Sequence, residues 1–287
     1  MKPTVGFIGL GLMGLPMAQR LQSAGFPLNV YNRTRQKAEG LLSQGAVWCD
    51  SPAKVARQSE IVFTMISTSE VLKELAAEIR PALNKGSIHI DTSTVSPSLT
   101  AELYQEYRAD GKHFLHSPVL GSIPQATDGT LLLFVGGDDD AYRRSEDALK
   151  VLGKQVWRFP EVDQASHTKL LCNLFIAGMI TTLAQAIVFA QKAGVDPRTL
   201  LDILPHSALN SPMYQSKGKS IIEGNFTPRF FLDHMLKDIN LMLEAAGKRG
   251  VSLPTIEVAQ ELFAQASQMG LGKEDYSAVV KVLSSSR

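Results

Sequence analysis

The chain has only two cysteines, Cys49 and Cys172. Two cannot build a disulfide framework or, unaided, a four-ligand zinc site, so a reducing, cytoplasmic setting is the expectation. An excess of charge of one sign is missing too: 29 Lys and Arg stand against 28 Asp and Glu. Nothing then drives the chain towards nucleic acid, and no solvating acidic tail is expected. Repeats and low-complexity tracts are absent. The six histidines form no pattern such as H-E-x-x-H, and no metal site is expected. The apolar N-terminal stretch carries no A-x-A site and is punctuated by glycines, which reads as a turn rather than a signal peptide.

What remains is a globular composition, 44% hydrophobic and 20% charged over 287 residues, enough for about two domains. The first half alternates short apolar runs with amphipathic stretches. Strands are expected at Thr4–Gly9, Leu28–Tyr31, Glu60–Ile66, Gly86–Asp91 and Lys112–Val119. Helices are expected at Leu12–Ser23, Arg35–Gln44, Ser69–Ile79 and Ser98–Ala109. That alternation predicts an α/β domain with a Rossmann-type doubly wound sheet, which Thr130–Gly136 and Gln155–Phe159 extend. Beyond Pro160 no convincing strand occurs. Helices are expected near Gln164–Ala193, Pro197–Leu204, Phe231–Arg249, Pro254–Gln268 and Tyr276–Ser284, with Pro197 and Pro254 in first turns and Gly194, Gly250 and Gly270 as stops. The expected organisation is a dinucleotide-binding domain over 1–162 and an all-α domain over 163–287.

Leu170 to Ala190 has no formal charge and is long enough to cross a membrane. Asn173, Thr181, Thr182 and Gln185 interrupt it, and no aromatic belt or basic cluster flanks it. It reads as a core helix of the second domain. It is too apolar all round for a small helical domain to cover, so a homodimer or homotetramer is expected.

Gly9-Leu10-Gly11-Leu12-Met13-Gly14 is a GxGxxG between the first strand and the first helix. Gly9 permits a tight turn, Gly11 lets backbone approach a pyrophosphate, and Gly14 allows close helix–sheet packing. The amides of Leu12 and Met13 then face the phosphates at the helix N-terminus. At the end of the second strand the acid that would bind an NAD ribose is missing. Asn32-Arg33-Thr34 stands there instead. Arg33 can pair with a 2′-phosphate and Thr34 can add a hydroxyl, with Arg35 or Lys37 assisting. NADP is the expected cofactor, NAD the alternative. Thr34 equally suits a helix cap.

Lys169 and Asn173 sit four apart on an expected helix, hence on one face. A protonated lysine there can serve as general acid and base for a carbonyl. It can also merely snorkel from the helix start, and the pattern alone leaves both readings open.

These motifs together resemble the β-hydroxyacid dehydrogenases, the family of 3-hydroxyisobutyrate dehydrogenase and the semialdehyde reductases. The likeness is carried by Gly6–Ala18, Asp91-Thr92-Ser93-Thr94, Pro118–Gly129, Lys169-x-x-x-Asn173 and Lys237-Asp238. It implies a Rossmann-type domain, a helical domain and Lys169 as the catalytic lysine, oriented by Asn173. It further implies that Ser93 contacts a substrate carboxylate, Thr94 lies by the nicotinamide ribose, and Lys237 reaches the cofactor. Capping of the helix near Pro97 is the plainer role for these hydroxyls, and a solvated pair is the plainer role for Lys237-Asp238. Leu120 departs from the family, whose usual serine would stand there. The backbone amides of Gly121 and Ser122 could still grip a carboxylate, in a more apolar pocket. The expectation is an NADPH-preferring reductase of a small carboxylate-bearing aldehyde or ketone. An imine reductase, or a silent NADP-binding interaction module, is the alternative. Relatives of both kinds lack the lysine.

Overall fold

The structure, a computed structural model, describes residues 2–285. Among these residues nine strands form one sheet: β1 (Val5–Ile8), β2 (Leu28–Tyr31), β3 (Val47–Trp48), β4 (Ile61–Thr64), β5 (Ile88–Asp91), β6 (His113–His116), β7 (Val119–Leu120), β8 (Leu131–Gly136) and β9 (Gly153–Phe159). The first six run parallel in the order β3-β2-β1-β4-β5-β6. This is the doubly wound order, with its reversal at β1 and β4. The expected extension is present, but β8 joins β6 antiparallel, through His116 and Gly136. It carries β7 antiparallel and β9 parallel.

β1, β4 and β5 are buried at every position, as strands covered on both faces must be. Successive side chains take opposite faces. Phe7 and Phe63 stack at 6.0 Å on one, and Ile8 and Val62 join the cluster on the other. The covering helices are α1 (Gly14–Ser23), α2 (Glu39–Leu42), α3 (Pro52–Arg57), α4 (Ser69–Ala82), α5 (Pro97–Ala109), α6 (Ile123–Asp128) and α7 (Asp139–Leu152). The helix expected over Arg35–Gln44 is instead a 3-10 turn, Arg35–Ala38, followed by the short α2.

The chain divides into two compact units, Met1–Leu170 and Leu171–Arg287. The helix α8 (Val162–Lys192) spans the division. Asp163 lies in its first turn, where a carboxylate favours the helix dipole, and Ser166 Oγ meets Thr100 Oγ1 at 3.0 Å. The second unit continues with α9 (Pro197–Ile203), α10 (Pro212–Ile222), α11 (Leu232–Gly247), α12 (Pro254–Gln268) and α13 (Val280–Ser285). Within it a buried ion pair joins Lys217 to Asp275 at 2.7 Å.

α8 is covered on one side only. Its inner face is buried at Ala177, Ile180, Leu183, Ala184 and Ile187, but Leu171, Phe175 and Phe189 are 59%, 69% and 74% exposed. It is therefore half-covered within the chain. By length and composition alone it could cross a membrane, the one helix among the described residues of which this holds.

Candidate active site

In the first unit, the ends of β1 and β2 lie side by side, with Ile8 opposite Tyr31. Gly9 follows with φ +99°, and a Cβ on it would stand 2.2 Å from the Met65 carbonyl oxygen. A Cβ on Gly14 would stand 1.9 Å from the Gly9 carbonyl oxygen. Gly11 has nothing within 4 Å of where its Cβ would be. The first bond of α1 is donated by Leu15 N–H to the Gly11 carbonyl. The amides of Gly11, Leu12, Met13 and Gly14 thus precede the helical ladder, with no acidic side chain in the first turn. A positive helix end beside open space fits the pyrophosphate of a dinucleotide.

Asn32 braces this turn. Its Oδ1 accepts from Leu10 N–H at 2.9 Å, and its Nδ2 donates to the Thr34 carbonyl at 2.9 Å. Arg33 and Thr34 are exposed. The Thr34 side chain makes no cap bond, which removes the plain helix-cap reading. Arg35 is stacked over Trp48, 5.4 Å from the ring centre.

At the ends of β4 and β5 the structure holds a polar network that the sequence reading missed. Thr64 and Asp91 are in register and both fully buried. The Thr64 hydroxyl donates to Asp91 Oδ1 at 2.7 Å, and the Ser93 hydroxyl donates to the same oxygen at 2.8 Å. His89 Nε2 lies 3.0 Å from Thr64 Oγ1, and His89 Nδ1 lies 2.7 Å from Tyr107 Oη. Thr64 gives its one proton to Asp91, so His89 must donate from Nε2 and accept at Nδ1. Every donor therefore points towards Asp91. Its other oxygen, Oδ2, takes the Ser93 amide at 3.3 Å and lies 3.1 Å from His116 Nδ1. Burial pushes the Asp91 carboxyl up, but His116, Thr64 and Ser93 outweigh it and hold the group below the usual range. The Ser93 hydroxyl, expected on a substrate carboxylate, is fully buried and engaged twice, since it also accepts from Ile66 N–H at 2.9 Å. Thr94, next along, is half-buried. A sequence signal existed. His89 and Asp91 share one face of an otherwise apolar strand.

The network makes stability depend on pH. Burial drives His89 down to about 4, against the attraction of Asp91. The unfolded imidazole titrates near 6.5. Below that pH the unfolded chain binds a proton the folded one refuses, so this contribution is whole above about 6.5 and declines towards 4. At pH 5 the loss is about 2 kcal/mol. His234 in the second unit, held down by burial and then by Lys237, acts in the same direction. The Asp91 contribution stays whole through this range and is lost only as pH falls below about 3.8, because its folded pKa is lowered from there. Denaturant titrations of wild type and His89→Gln at pH 7 and pH 5 measure this; a wild-type stability that does not fall by pH 5 refutes it.

After β7, Leu120 is half-buried and Gly121 exposed. The Ser122 amide, expected to be open to a carboxylate, donates to Gln125 Oε1 at 2.9 Å. Gln125 is exposed, so this bond is open to exchange with an anion.

On α8, Lys169 is 8% exposed, and Asn173 stands one turn further on. In the second unit Asn173 Nδ2 donates to Asp238 Oδ2 of α11 at 2.6 Å, and Lys237 Nζ lies 2.7 Å from Asp238 Oδ1. Asp238, 1% exposed, thus links two expected site residues and fixes which way the Asn173 amide points. In the Lys237-Asp238 motif the sequence points to the lysine, and the structure adds the buried carboxylate beside it.

Residues 4–160 match the family described as the NAD binding domain of 6-phosphogluconate dehydrogenase. Residues 164–283 match that described as NAD-binding of NADP-dependent 3-hydroxyisobutyrate dehydrogenase. The chain is 34% identical over 292 residues to glyoxylate/succinic semialdehyde reductase 1 of Arabidopsis thaliana, covering 99% of each. It is 32% identical over 282 residues to 2-(hydroxymethyl)glutarate dehydrogenase of Eubacterium barkeri, covering 97% of this chain and 94% of that one. Among solved structures, 3-hydroxyisobutyrate dehydrogenase from Salmonella typhimurium is similar with a TM-score of 0.90 at 26% identity, covering 97% of this chain and 99% of that one.

Proposed function

The chain belongs to the β-hydroxyacid dehydrogenase family and is an NAD(P)-dependent oxidoreductase, and we propose that it is an NADPH-preferring reductase of a small carboxylate-bearing aldehyde or ketone. Glyoxylate and succinic semialdehyde, named in its Arabidopsis relative, are of that chemical class. One observation carries the reading. Lys169 is a nearly buried lysine one helical turn before Asn173, whose amide is pinned by Asp238. A lysine withdrawn from water is unfavourable unless it has a task. The task assigned here is to hold and deliver a proton at the carbonyl oxygen, and to take it back in the oxidative direction. Asn173 orients the reacting oxygen or the ammonium, and Asp238 orients Asn173. By the family resemblance, Lys237 would contact the bound cofactor and Thr94 would meet its nicotinamide ribose. The bound nicotinamide supplies the hydride. The substrate carboxylate is received by the amides of Gly121 and Ser122, the latter by displacing Gln125.

The 2′-phosphate is read by Arg33, with Thr34 beside it. Arg33 is exposed and makes no ion pair among the described residues, so it is available. Residues 1–162 form the cofactor domain and 163–287 the substrate and oligomer domain. A panel of glyoxylate, succinic semialdehyde and 3-hydroxyisobutyrate, run with NADPH and NADH, tests the assignment. Turnover of none of them with either cofactor overturns it.

The open side of α8 supports a homo-oligomer. Phe175 and Met179 of α8 line an apolar groove with Tyr214 and Pro254, and a second copy would cover that side. Sedimentation is expected to give a dimer or tetramer at micromolar concentration. Phe175→Glu is expected to shift it towards monomer while keeping the fold, because the side chain is 69% exposed. A wild type that sediments only as monomer refutes this.

A further inference from the structure

The network around Asp91 lies at the ends of β4 and β5, beneath the turn that carries Thr94, and none of its inner members faces solvent. Tyr107, His89, Thr64 and Asp91 are all fully buried. Such a run of polar groups in an apolar sheet is unfavourable unless every member is satisfied. Here the donors run one way, Tyr107 to His89 to Thr64 to Asp91. The Ser93 hydroxyl reaches the same carboxylate from the opposite side. With its proton given to Asp91, Ser93 Oγ presents only lone pairs, and one of them takes the Ile66 amide. Ser93 opens the turn after β5, and Ile66 lies in the turn after β4. Thr92 adds a parallel tie, its hydroxyl donating to the Thr64 carbonyl at 2.7 Å.

We propose that Asp91 is a positioning residue: its buried carboxylate, oriented by Thr64 and His89, staples the turn after β5 to the turn after β4 through Ser93 and so sets where Thr94 stands. This rests on the reading that a dinucleotide lies at the ends of these strands. The pyrophosphate turn has its own brace in Asn32, so the staple governs the nicotinamide end and leaves the rest of the cofactor site alone.

Asp91→Asn keeps the size of the side chain and removes its charge. It also sets an N–H where Oδ2 now accepts the Ser93 amide, a donor against a donor. In the unliganded protein, exchange of the Ile66 amide should quicken at least about tenfold, with the denaturant midpoint of the whole chain shifting far less. With glyoxylate or succinic semialdehyde, kcat should fall about ten- to a hundredfold. KM for NADPH should move by less than about threefold. Thr64→Val should reproduce the pattern, and Thr64→Ser, which restores the hydroxyl, should rescue it. If Asp91→Asn does not fold, the Thr64 pair decides by the same readings. The staple is overturned if Ile66 exchange is unchanged. It is equally overturned if kcat and KM for NADPH worsen together, or if Thr64→Ser behaves as Thr64→Val does. A wild type that binds no NADPH sinks the functional reading instead, and the exchange measurements still decide the staple.

Discussion

Lys169→Ala lowers kcat by at least about a hundredfold, the low end of what general acid catalysis contributes, and leaves NADPH affinity almost unchanged. The helix should survive, because alanine is the best helix former and α8 is anchored before this point by Ser166 and Thr100. The side chain lost is nearly buried, so the effect is not that of a solvated surface lysine. Lys169→Arg should not restore the rate, since guanidinium does not give up its proton. Asn173→Asp should also be severe. It sets a second carboxylate where the amide now donates to Asp238 at 2.6 Å, and two like charges at that separation cannot both ionise without large strain on the site. Single-turnover and steady-state rates, with NADPH binding followed separately by fluorescence, check the three variants. A near-wild-type kcat for Lys169→Ala on a substrate the wild type turns over would remove Lys169 from the mechanism.

The difference between what the residues announce and what only the fold reveals follows from range. The turn at Gly9–Gly14 is local, and each of its glycines has a separate steric or conformational reason that six consecutive residues convey. Helices of the second unit are legible for the same reason, through first-turn prolines and closing glycines. The missed elements have weak local signals. α7 buries Ala141, Ser145, Ala148, Leu149 and Leu152, a stripe at helical spacing in which only Leu149 and Leu152 are large apolar residues. α10 packs Gly218 against Leu201, a backbone approach without a hydrophobic mark. β3 and β7 are two residues each, and α3 and α6 six each. The staple at Asp91 exists only because β4 and β5 pair in the register that sets Thr64 beside Asp91, and no local window carries that register. Asp238 meets Asn173 across 65 residues of sequence. For α8, composition shows an apolar helix, but only the fold shows which side its own chain leaves uncovered.

Arg33→Ala raises KM for NADPH about ten- to a hundredfold and leaves NADH nearly unchanged. A charge-assisted contact to the 2′-phosphate is worth roughly 1.5–3 kcal/mol, and each 1.4 kcal/mol is tenfold. The neighbours are poorly placed to compensate. Arg35 is held over Trp48, and Asn32 has its oxygen on Leu10 N–H and its Nδ2 on the Thr34 carbonyl. That brace also shapes the effect of Asn32→Asp. The carboxylate keeps the bond from Leu10 but turns an oxygen towards the Thr34 carbonyl, which loosens the turn as well as repelling the phosphate. NADPH use should therefore fall steeply, while NADH gains an acidic ribose partner in a less ordered loop and improves only modestly. The double change inverts the preference mainly by discarding NADPH. Measuring kcat/KM for both cofactors in the wild type, the two single variants and the double variant decides it. A wild type that already prefers NADH, or an Arg33→Ala that weakens both cofactors equally, means that Arg33 does not read the phosphate and that the residues 32–34 serve only to brace the glycine turn.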